Sequence, residues 1–168
     1  LINFLNKYNN DKNFNFISSS NVYQNSNNSL AESSLRKSSN YYGFTKIKVE
    51  NYIIKNVKKL NFKTGISRIF NYTSPSQTSG YLIPDIINKL KNNRKKKIIT
   101  FTNFNQKREF THIDDVCSGI ELMIKNNFEG PLNISSANRI TLKNLAKLIA
   151  KKMKLKIKIK TNTKTSSL

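Results

Sequence analysis

Short apolar segments and longer amphipathic segments alternate along the chain, and this alternation limits the possible folds more than any other feature. The apolar segments have the length and residue types of buried strands. They are FNFISSS (14–20), TGISRIFNY (64–72), KIITF (97–101), PLNIS (131–135) and the Lys-alternating LKIKIKT (155–161). The amphipathic segments predict helices over 41–59, 81–93, 114–126 and 141–153. Strands that alternate with helices indicate an α/β architecture with a mostly parallel sheet.

The net charge invites a nucleic-acid interpretation, which the charge distribution does not favour. The 168 residues include 30 Lys and Arg but only 9 Asp and Glu, for a formal charge of +21. The lysines are scattered along the chain among many Asn and Ile residues, and the densest run, KNNRKKK at 91–97, has the pattern of a solvated helix end. We expect a composition bias rather than a nucleic-acid-binding face, which would need basic residues and stacking aromatics on one side.

The scarcity of Cys and His limits the disulfides and metal sites that the chain could form. Cys117 and His112 are the only residues of their types, so the chain can form no internal disulfide and offers no zinc-ligand pattern. We expect Cys117 to be a small buried helix residue, His112 to be structural rather than catalytic, and no metal to be bound. No run approaches the length of a membrane span and no secretory signal is apparent. These features predict a cytoplasmic protein without a membrane partner.

Tyr42 and Lys46 lie four residues apart in the segment NYYGFTKIKVE, a spacing that places both side chains on one face of a helix. A lysine ammonium close to a phenol favours the phenolate. A tyrosine in that setting can exchange a proton with a sugar hydroxyl or carbonyl. The spacing alone is weak, because Tyr8 and Lys12 repeat it in the segment YNNDK. The pair gains weight only from the motifs around it.

Those motifs follow one another in a definite order. They are ISSSNVY (17–23), YYGFTK (41–46), RIFNYTSPSQ (68–77) and REFTHIDDV (108–116). Together they resemble the extended short-chain dehydrogenase/reductase family, the NAD-dependent epimerases and dehydratases that act on nucleotide sugars. The resemblance implies the C-terminal part of a Rossmann-like, doubly wound parallel sheet plus a small α/β substrate-binding region. Residues 1–75 would form the second half of the NAD(P)-binding domain, and residues 76–168 mainly the nucleotide-sugar-binding region with late Rossmann elements.

The resemblance also implies a catalytic set of Ser19, Tyr42 and Lys46. The family's catalytic Ser or Thr lies four residues before the Tyr of the first motif, here Tyr23, which selects Ser19. A slip of one residue would select a neighbouring serine instead. Ser19 would hydrogen-bond the sugar oxygen at the reacting carbon and Tyr42 would be the acid/base. Lys46 would assist Tyr42 and hold the nicotinamide ribose hydroxyls of NAD or NADP.

Further residues are binding candidates by the same resemblance. Asn71, which follows the second strand, would contact the nucleotide sugar, and Tyr72 would lie near the nicotinamide. Arg108 would hold the diphosphate, since a planar guanidinium can donate to two phosphate oxygens at once. Asp114 and Asp115 open a predicted helix, which fits capping and the helix dipole better than catalysis.

The residue two positions after Ser19 bears on the reaction. The family's 4,6-dehydratases place a Glu there, whereas this chain has Asn21, which is neither an acid nor a base. The segment RIFNYTSPSQTSGYLIPD is most similar to GDP-4-dehydro-6-deoxymannose reductases and their GDP-mannose dehydratase relatives. The resemblance therefore implies a 4-keto-6-deoxy sugar reductase or a 4-epimerase acting on a GDP-, UDP- or dTDP-sugar. The alternatives are an inactive remnant of such an enzyme and a basic nucleic-acid-binding module.

The chain also departs from the family. It contains 5 Gly and no G-x-x-G-x-x-G, so the turn that places the cofactor pyrophosphate on a helix N-terminus is missing. Its first residues, LINFLNKY, have helical spacing without a preceding cap, which predicts an N-terminally truncated chain. The resemblance further implies a homodimer formed through the helix that carries Tyr42 and Lys46.

Overall fold

The computed structural model describes residues 6–7, 13–26 and 28–163. The predicted helix end at the start of the chain lies largely outside these residues, although Asn6 and Lys7 within it are helical. The strands, in chain order, are β1 Asn13–Ser19, β2 Lys63–Ile69, β3 Tyr72–Thr73, β4 Ile98–Thr102, β5 Lys107–Glu109, β6 Thr111–His112, β7 Gly130–Ile134, β8 Arg139–Thr141 and β9 Lys158–Asn162. The helices are α1 Tyr41–Asn56, α2 Leu82–Asn92, α3 Ile113–Lys125 and α4 Leu142–Lys152, with 3₁₀ turns at Ser20–Val22 and Val57–Lys59.

The first of two compact units contains the described residues up to Tyr72 together with Thr111–Ser136. Its sheet has the parallel order β1-β2-β7. The central strand, β2, is buried from Thr64 to Arg68, as expected for a strand covered on both faces. The register pairs Ser19 with Ile69 and Ile69 with Ile134, so the carboxyl ends of the strands meet at one edge. Ligands of open parallel sheets bind outside this edge.

The second unit contains Thr73–Phe110 and the described residues from Ala137 onward. Strands β4 and β9 form a parallel pair, and β5 and β8 form an antiparallel pair. Its core consists of apolar side chains from α2, α4 and the β4-β9 pair. They are Ile86, Leu90, Ile99, Phe101, Leu142, Leu145, Ala146, Ala150 and Ile159. The second unit therefore has a hydrophobic core of its own.

The helix predictions agree with the structure to within a few residues, because caps and prolines stand where the pattern places them. Thr141 caps α4 by accepting a hydrogen bond from the Asn144 amide. Pro84 lies in the first turn of α2, where a proline costs no hydrogen bond. The predicted helix over 41–59 is α-helical to Asn56, and its last residues, 57–59, form a 3₁₀ turn.

Other sequence-based expectations were wrong in detail. Cys117 is exposed rather than buried, because it lies on the outward face of α3 beside the buried Val116. The cap of α3 is His112, whose Nδ1 accepts a hydrogen bond from the Asp114 amide at 3.3 Å. Asp114 and Asp115 occupy the first turn, where they match the helix dipole as predicted but do not cap. His112 therefore caps a helix, and the expectation that it is not catalytic stays a prediction.

The domain boundary in the structure is discontinuous. The chain leaves the first unit after Tyr72, a few residues before the predicted boundary at residue 75, and Thr111–Ser136 belongs to the first unit. That later segment supplies α3 and the third strand of the parallel sheet; the sequence interpretation expected late Rossmann elements within residues 76–168 without locating them. The functions assigned to residues 1–75 and 76–168 stay predictions.

Candidate functional site

Ser19 lies at the carboxyl end of β1 and begins the turn that follows it. Its Oγ accepts a hydrogen bond from the Asn21 amide at 3.2 Å and so caps the short 3₁₀ turn Ser20–Val22. Ser18 points to the opposite face of the sheet, because successive side chains of a strand alternate. It is buried and donates a hydrogen bond to Glu50. Ser19 and Ser20 are partly exposed, so these two serines have hydroxyls near solvent at the strand end.

Tyr42 and Lys46 lie on one face of α1, in its first two turns. Asn40 caps this helix by accepting a hydrogen bond from the Gly43 amide at 2.8 Å. The side chain of Tyr42 is 52% exposed. Lys46 Nζ lies 5.5 Å from the centroid of the Tyr42 ring and donates a hydrogen bond of 2.8 Å to the Ile17 carbonyl oxygen. The lysine therefore joins the Tyr42 face of the helix to the last residues of β1.

Gly43 brings the start of α1 directly against the turn that follows Ser19. A Cβ atom at this position would lie 2.1 Å from the Asn21 carbonyl oxygen and 2.2 Å from Ser38 Oγ. Such distances are far below a van der Waals contact, so only glycine allows this approach. The Asn21 backbone amide donates a hydrogen bond to Ser19 Oγ, and Gly43 follows Tyr42 in the chain. The fold thus brings together the backbone segments that carry two of the three predicted catalytic residues.

A buried ion pair lies behind these residues. Glu50 of α1 is 0% exposed and Arg68 of β2 is 1% exposed. Arg68 Nη2 donates to Glu50 Oε2 at 2.7 Å and Arg68 Nε donates to Oε1 at 3.1 Å, a two-pronged contact. Glu50 Oε1 also accepts from Ser18 Oγ at 2.5 Å, and Oε2 accepts from Arg36 at 3.0 Å. These contacts fill the acceptor positions of the carboxylate with donors.

The pKa of Glu50 follows from these donors. Burial alone would raise the pKa of this carboxyl, but the hydrogen bonds from Arg68 and Ser18, the Arg68 charge and the Arg36 contact outweigh it, and the pKa is lowered. Burial would lower the pKa of Arg68, and the bonds to Glu50 and Tyr23 more than offset this, so that pKa is raised. Both groups are therefore held in their charged forms.

Tyr23 extends the network to the third strand of the sheet. Its hydroxyl accepts a hydrogen bond from Arg68 Nη1 at 2.8 Å and donates one to Asn133 Oδ1 on β7 at 2.6 Å. The pKa of Tyr23 is raised, since burial outweighs the opposing contacts with Arg68 and Asn133. The Asn133 amide donates to Glu32 Oε1 at 2.8 Å. The network thus connects all three strands, α1 and the loop between β1 and α1.

The remaining predicted residues divide between the two units. Asn71 and Tyr72 are exposed and lie just beyond the carboxyl end of β2, in the first unit with Ser19. The Asn71 carbonyl oxygen accepts a hydrogen bond from the Thr111 amide at 3.0 Å. Arg108 is exposed on β5, which belongs to the second unit. The roles of all these residues stay predictions.

A comparison with protein-family profiles assigns the chain. The profile described as the NAD dependent epimerase/dehydratase family matches residues 1–135. The chain belongs to the NAD-dependent epimerase/dehydratase family. The family predicted from the motifs is thereby confirmed, and the matched residues include the Ser19, Tyr42 and Arg108 positions.

Solved structures of epimerases and dehydratases share this fold. RMD from Pseudomonas aeruginosa, solved with NADPH, is 18% identical and has a TM-score of 0.79, over 90% of this chain and 54% of its own. UDP-N-acetylglucosamine 4-epimerase from Methanobrevibacter ruminantium M1, in complex with UDP-N-acetylmuramic acid, is 22% identical and has a TM-score of 0.80, over 94% of this chain and 52% of its own. dTDP-glucose 4,6-dehydratase from Bacillus anthracis, in complex with NAD, is 19% identical and has a TM-score of 0.80, over 98% and 53%.

The chain therefore spans about half the length of these solved proteins. The predicted α/β, Rossmann-like fold class is confirmed by these similarities and by the parallel sheet. A search among curated proteins finds no match. No helix within the described residues is both long and apolar enough to cross a membrane. In the same part of the chain, His, Cys, Asp and Glu side chains nowhere gather in a group of three that could hold a metal ion.

Sequence reasoning did not single out the residues that join the helix of Tyr42 and Lys46 to the turn after Ser19 and to the sheet. None of Gly43, Glu50 and Arg68 was predicted to have a role of its own. Gly43 and Glu50 entered the sequence interpretation only within the NYYGFTKIKVE segment, and Arg68 only within the RIFNYTSPSQ segment. A signal was present all the same. An arginine in the middle of an apolar strand has to find an anion, and Glu50 is the one acidic residue of the predicted 41–59 helix.

Proposed function

We propose that the protein is an NAD(P)-dependent nucleotide-sugar oxidoreductase or epimerase that performs redox chemistry at sugar C4. The observation that carries the proposal is the joining of three parts at the carboxyl edge of a parallel sheet. Lys46 bonds to the end of β1, Gly43 packs on the turn after Ser19, and Tyr42, the neighbour of Gly43 in the chain, is half-exposed. This edge is where sheets of this class bind ligands.

The side chains suit proton handling on a sugar oxygen. The exposed Tyr42 hydroxyl would give a proton to a C4 carbonyl oxygen, or take one from a C4 hydroxyl. Ser19 Oγ, at the strand end, would donate a hydrogen bond to the same oxygen and hold it as charge develops there. Lys46, close to the Tyr42 ring, provides a positive charge beside the developing phenolate.

The same residues fit the nicotinamide end of NAD or NADP. The Lys46 ammonium carries three donors and no acceptor, and one of its hydrogen bonds here goes to the Ile17 carbonyl. Its remaining donors, together with the Tyr42 hydroxyl, suit the ribose hydroxyls, and the exposed Tyr72 would flank the ring. The nicotinamide, when bound, supplies the hydride exchange at the sugar carbon. Solved relatives of similar fold contain NADPH or NAD.

Asn21 supports a reductase or 4-epimerase rather than a dehydratase. It is exposed in the turn after Ser19, and its amide donates to Ser19 Oγ. Elimination of water from a sugar requires an additional acid or base, and a neutral carboxamide at this position provides neither. Reduction of a 4-keto-6-deoxy sugar, or inversion at C4, needs only the proton donor and the positioned oxygen.

The substrate would be a nucleotide sugar. Asn71 extends from the same sheet edge as Ser19 and would contact the sugar or nucleotide. Arg108 would hold the diphosphate of a GDP-, UDP- or dTDP-sugar, since an exposed guanidinium can donate to two phosphate oxygens. A relative of similar fold was solved with UDP-N-acetylmuramic acid.

We further propose a homodimer formed through α1. Phe44, Lys48 and Tyr52 lie at four-residue intervals and form a stripe on this helix. The Phe44 and Tyr52 side chains are 48% and 47% exposed, and Lys48 Nζ lies 4.8 Å from the centroid of the Phe44 ring. Exposed aromatic side chains in one stripe suit a helix-to-helix contact between two copies.

The test uses the product of the complete gene. NAD(P)H fluorescence would be titrated, and turnover of a panel of GDP-, UDP- and dTDP-sugars and their 4-keto-6-deoxy forms would be measured. We expect turnover, and we expect Tyr42→Phe to reduce kcat about 100-fold or more because the proton donor is lost. Tyr41→Phe, which removes a hydroxyl from the adjacent exposed tyrosine, is the matched control and should keep its activity.

Two results would contradict the proposal. If the folded protein binds neither cofactor nor sugar, the motifs are inherited structure without activity, and the protein is an inactive remnant. If turnover occurs but Tyr42→Phe and Tyr41→Phe behave alike, the catalytic assignment of Tyr42 is wrong.

A further inference from the structure

We propose that the buried Glu50–Arg68 ion pair is a positioning device, which holds the Tyr42–Lys46 face of α1 in register with Ser19. The inference rests on the proposed function. It concerns residues that touch neither substrate nor cofactor. Their contribution is to set where the reacting side chains stand.

Helix α1 is joined to β1 at two successive turns. Tyr42, Lys46 and Glu50 are spaced by four residues, so they lie along one face of α1 over two turns. Lys46 is bonded to the Ile17 carbonyl, and Glu50 accepts a hydrogen bond from the Ser18 hydroxyl. These two contacts fix successive turns of the helix to successive residues of β1. The next residue of that strand is Ser19.

The hydrogen bonds between Arg68 and Glu50 are directional. Burial of apolar surface between a helix and a sheet is non-directional, since its free energy depends mainly on the area removed from water. The Glu50 carboxylate is instead gripped by two guanidinium nitrogens of Arg68, at 2.7 and 3.1 Å. A two-pronged contact defines orientation as well as distance. It therefore fixes α1 against the central strand of the sheet, both along and around the helix axis.

The free energy of burying the Glu50–Arg68 pair also bears on its role. Both charged groups are buried, and burying an ion pair often gives no more stability than an apolar pair of similar size would. Stability alone is therefore a weak explanation for the pair. The network explains it better as a source of geometry. Arg68 also donates to the Tyr23 hydroxyl, and Tyr23 follows the Ser19 turn directly.

The size of the expected effect on kcat follows from how far the catalytic groups would be displaced. A displacement of about 1 Å in a catalytic group can reduce a rate on the order of 100-fold. Loss of the directional bonds would let α1 shift against β1, and Tyr42 would move relative to Ser19. The expected signature is a loss in kcat that exceeds any change in KM, because groups acting on the reacting oxygen are displaced while the nucleotide-binding residues stay in place.

The experiment compares variants of the full-length protein. Glu50→Gln leaves the Arg68 charge without its partner and should lower Tm by about 6 °C or more. Glu50→Met combined with Arg68→Met removes both charges at similar volume and should recover most of the Tm lost in Glu50→Gln; the remaining deficit reflects the acceptor that Ser18 and Arg36 lose. Ser18→Ala removes only one bond to Glu50 and provides a variant that should fold in any case. Lys63→Gln, which breaks the exposed ion pair with Glu129, is the control.

Each protein is measured by thermal unfolding, by kcat and KM, and by hydrogen exchange without cofactor or substrate. The proposal expects the double variant to recover most of the lost Tm while kcat stays at least about 10-fold low. It also expects Ser18→Ala and the double variant to show faster exchange in residues 18–21 and in the first turn of α1, with exchange in the second unit unchanged. A purely structural pair predicts that kcat and exchange recover together with Tm.

These readouts separate the two claims. If the wild type turns over no nucleotide sugar, the proposed function fails, and the exchange data alone decide whether the pair orders the Ser19 turn and the start of α1. If exchange and kcat in Ser18→Ala and in the double variant match the Lys63→Gln control, the positioning role is overturned.

Discussion

At the scale of single residues, the site depends on one position where a side chain cannot be placed. Gly43 lies in the first turn of α1, a place where most residues would favour the helix more than glycine does. The Asn21 carbonyl oxygen and Ser38 Oγ occupy the space that a Cβ atom would need. The glycine between Tyr42 and Phe44 is therefore explained by the packing of the helix on the Ser19 turn.

A Gly43→Ala substitution tests this contact. In an unobstructed helix the change would stabilise the protein by about 0.4–1 kcal/mol. Here the new methyl group would meet backbone, so we expect destabilisation of about 1–3 kcal/mol and a loss in kcat on the order of 10-fold or more. The measurements are chemical denaturation and steady-state kinetics.

Gly119→Ala is the matched control, because a Cβ there would meet the Ile134 side chain at 3.5 Å, an ordinary contact. It should raise stability by about 0.4–1 kcal/mol, as in any unobstructed helix, and leave turnover nearly unchanged. Equal behaviour of the two alanine variants would show that the start of α1 is not constrained by the Ser19 turn.

At the scale of elements, the pattern of the sequence located most helices and strands, and it could not supply their partners. Periodicity and caps depend on neighbouring residues, so α2 and α4 were predicted to within a few residues. The antiparallel pairing of β5 with β8 was not predicted, because it joins segments that are far apart in the chain. The same limit applies to the site.

The motifs proposed to be catalytic could be recognised in the sequence because each is local, whereas the Glu50–Arg68 pair joins a helix to a strand 18 residues away. Several lysines lie nearer to Glu50 in the sequence than Arg68 does, and only the position of Arg68 within an apolar strand favours it as the partner. The burial of both groups singles out the pair, and burial is a property of the folded chain.

The network between α1 and the sheet predicts a pH dependence of stability. The pKa of Glu50 is lowered in the folded protein, so its contribution is present above the unfolded carboxyl value of about 4.3 and is lost as the pH falls through the folded value. The pKa of Tyr23 is raised, so its contribution is present below about pH 10 and is lost as the pH rises through the folded value.

When the pH is lowered below about 4.5, we therefore expect the wild-type Tm to decrease. The decrease should be steeper than in the variant that carries both Glu50→Met and Arg68→Met. Thermal unfolding between about pH 3 and pH 7 measures this. Parallel acid limbs for the two proteins would mean that the Glu50 carboxyl does not link proton binding to folding.

At the scale of the whole molecule, the two units divide the proposed work. The first unit carries the residues proposed for proton transfer and cofactor contact, and the second carries Arg108 and its own apolar core.

The proposed assembly is also tested at this scale. Phe44→Asp combined with Tyr52→Asp puts two charges into the exposed stripe of α1. If the protein is a dimer through this stripe, the variant should be a folded monomer, because charges buried without partners oppose association. Light scattering after size exclusion gives the mass, and circular dichroism checks the fold.

The control is Leu122→Asp, which introduces a single aspartate at a leucine of α3 that is 59% exposed. It should leave the mass unchanged. A wild-type protein that is already monomeric, or a double variant of unchanged mass, would exclude the α1 contact.

The distribution of lysine explains how so basic a chain keeps this fold. None of the described lysines is buried, whereas the charged side chains that are buried, Glu50, Arg68 and Glu109, are not lysines. A drift in composition toward Lys and Asn can therefore accumulate on the outside of the molecule without entering the core or the network behind the site. At 18–22% identity the relatives still superpose with TM-scores of 0.79–0.80. The buried Glu50–Arg68 pair can therefore stay the same while the composition of the surface changes.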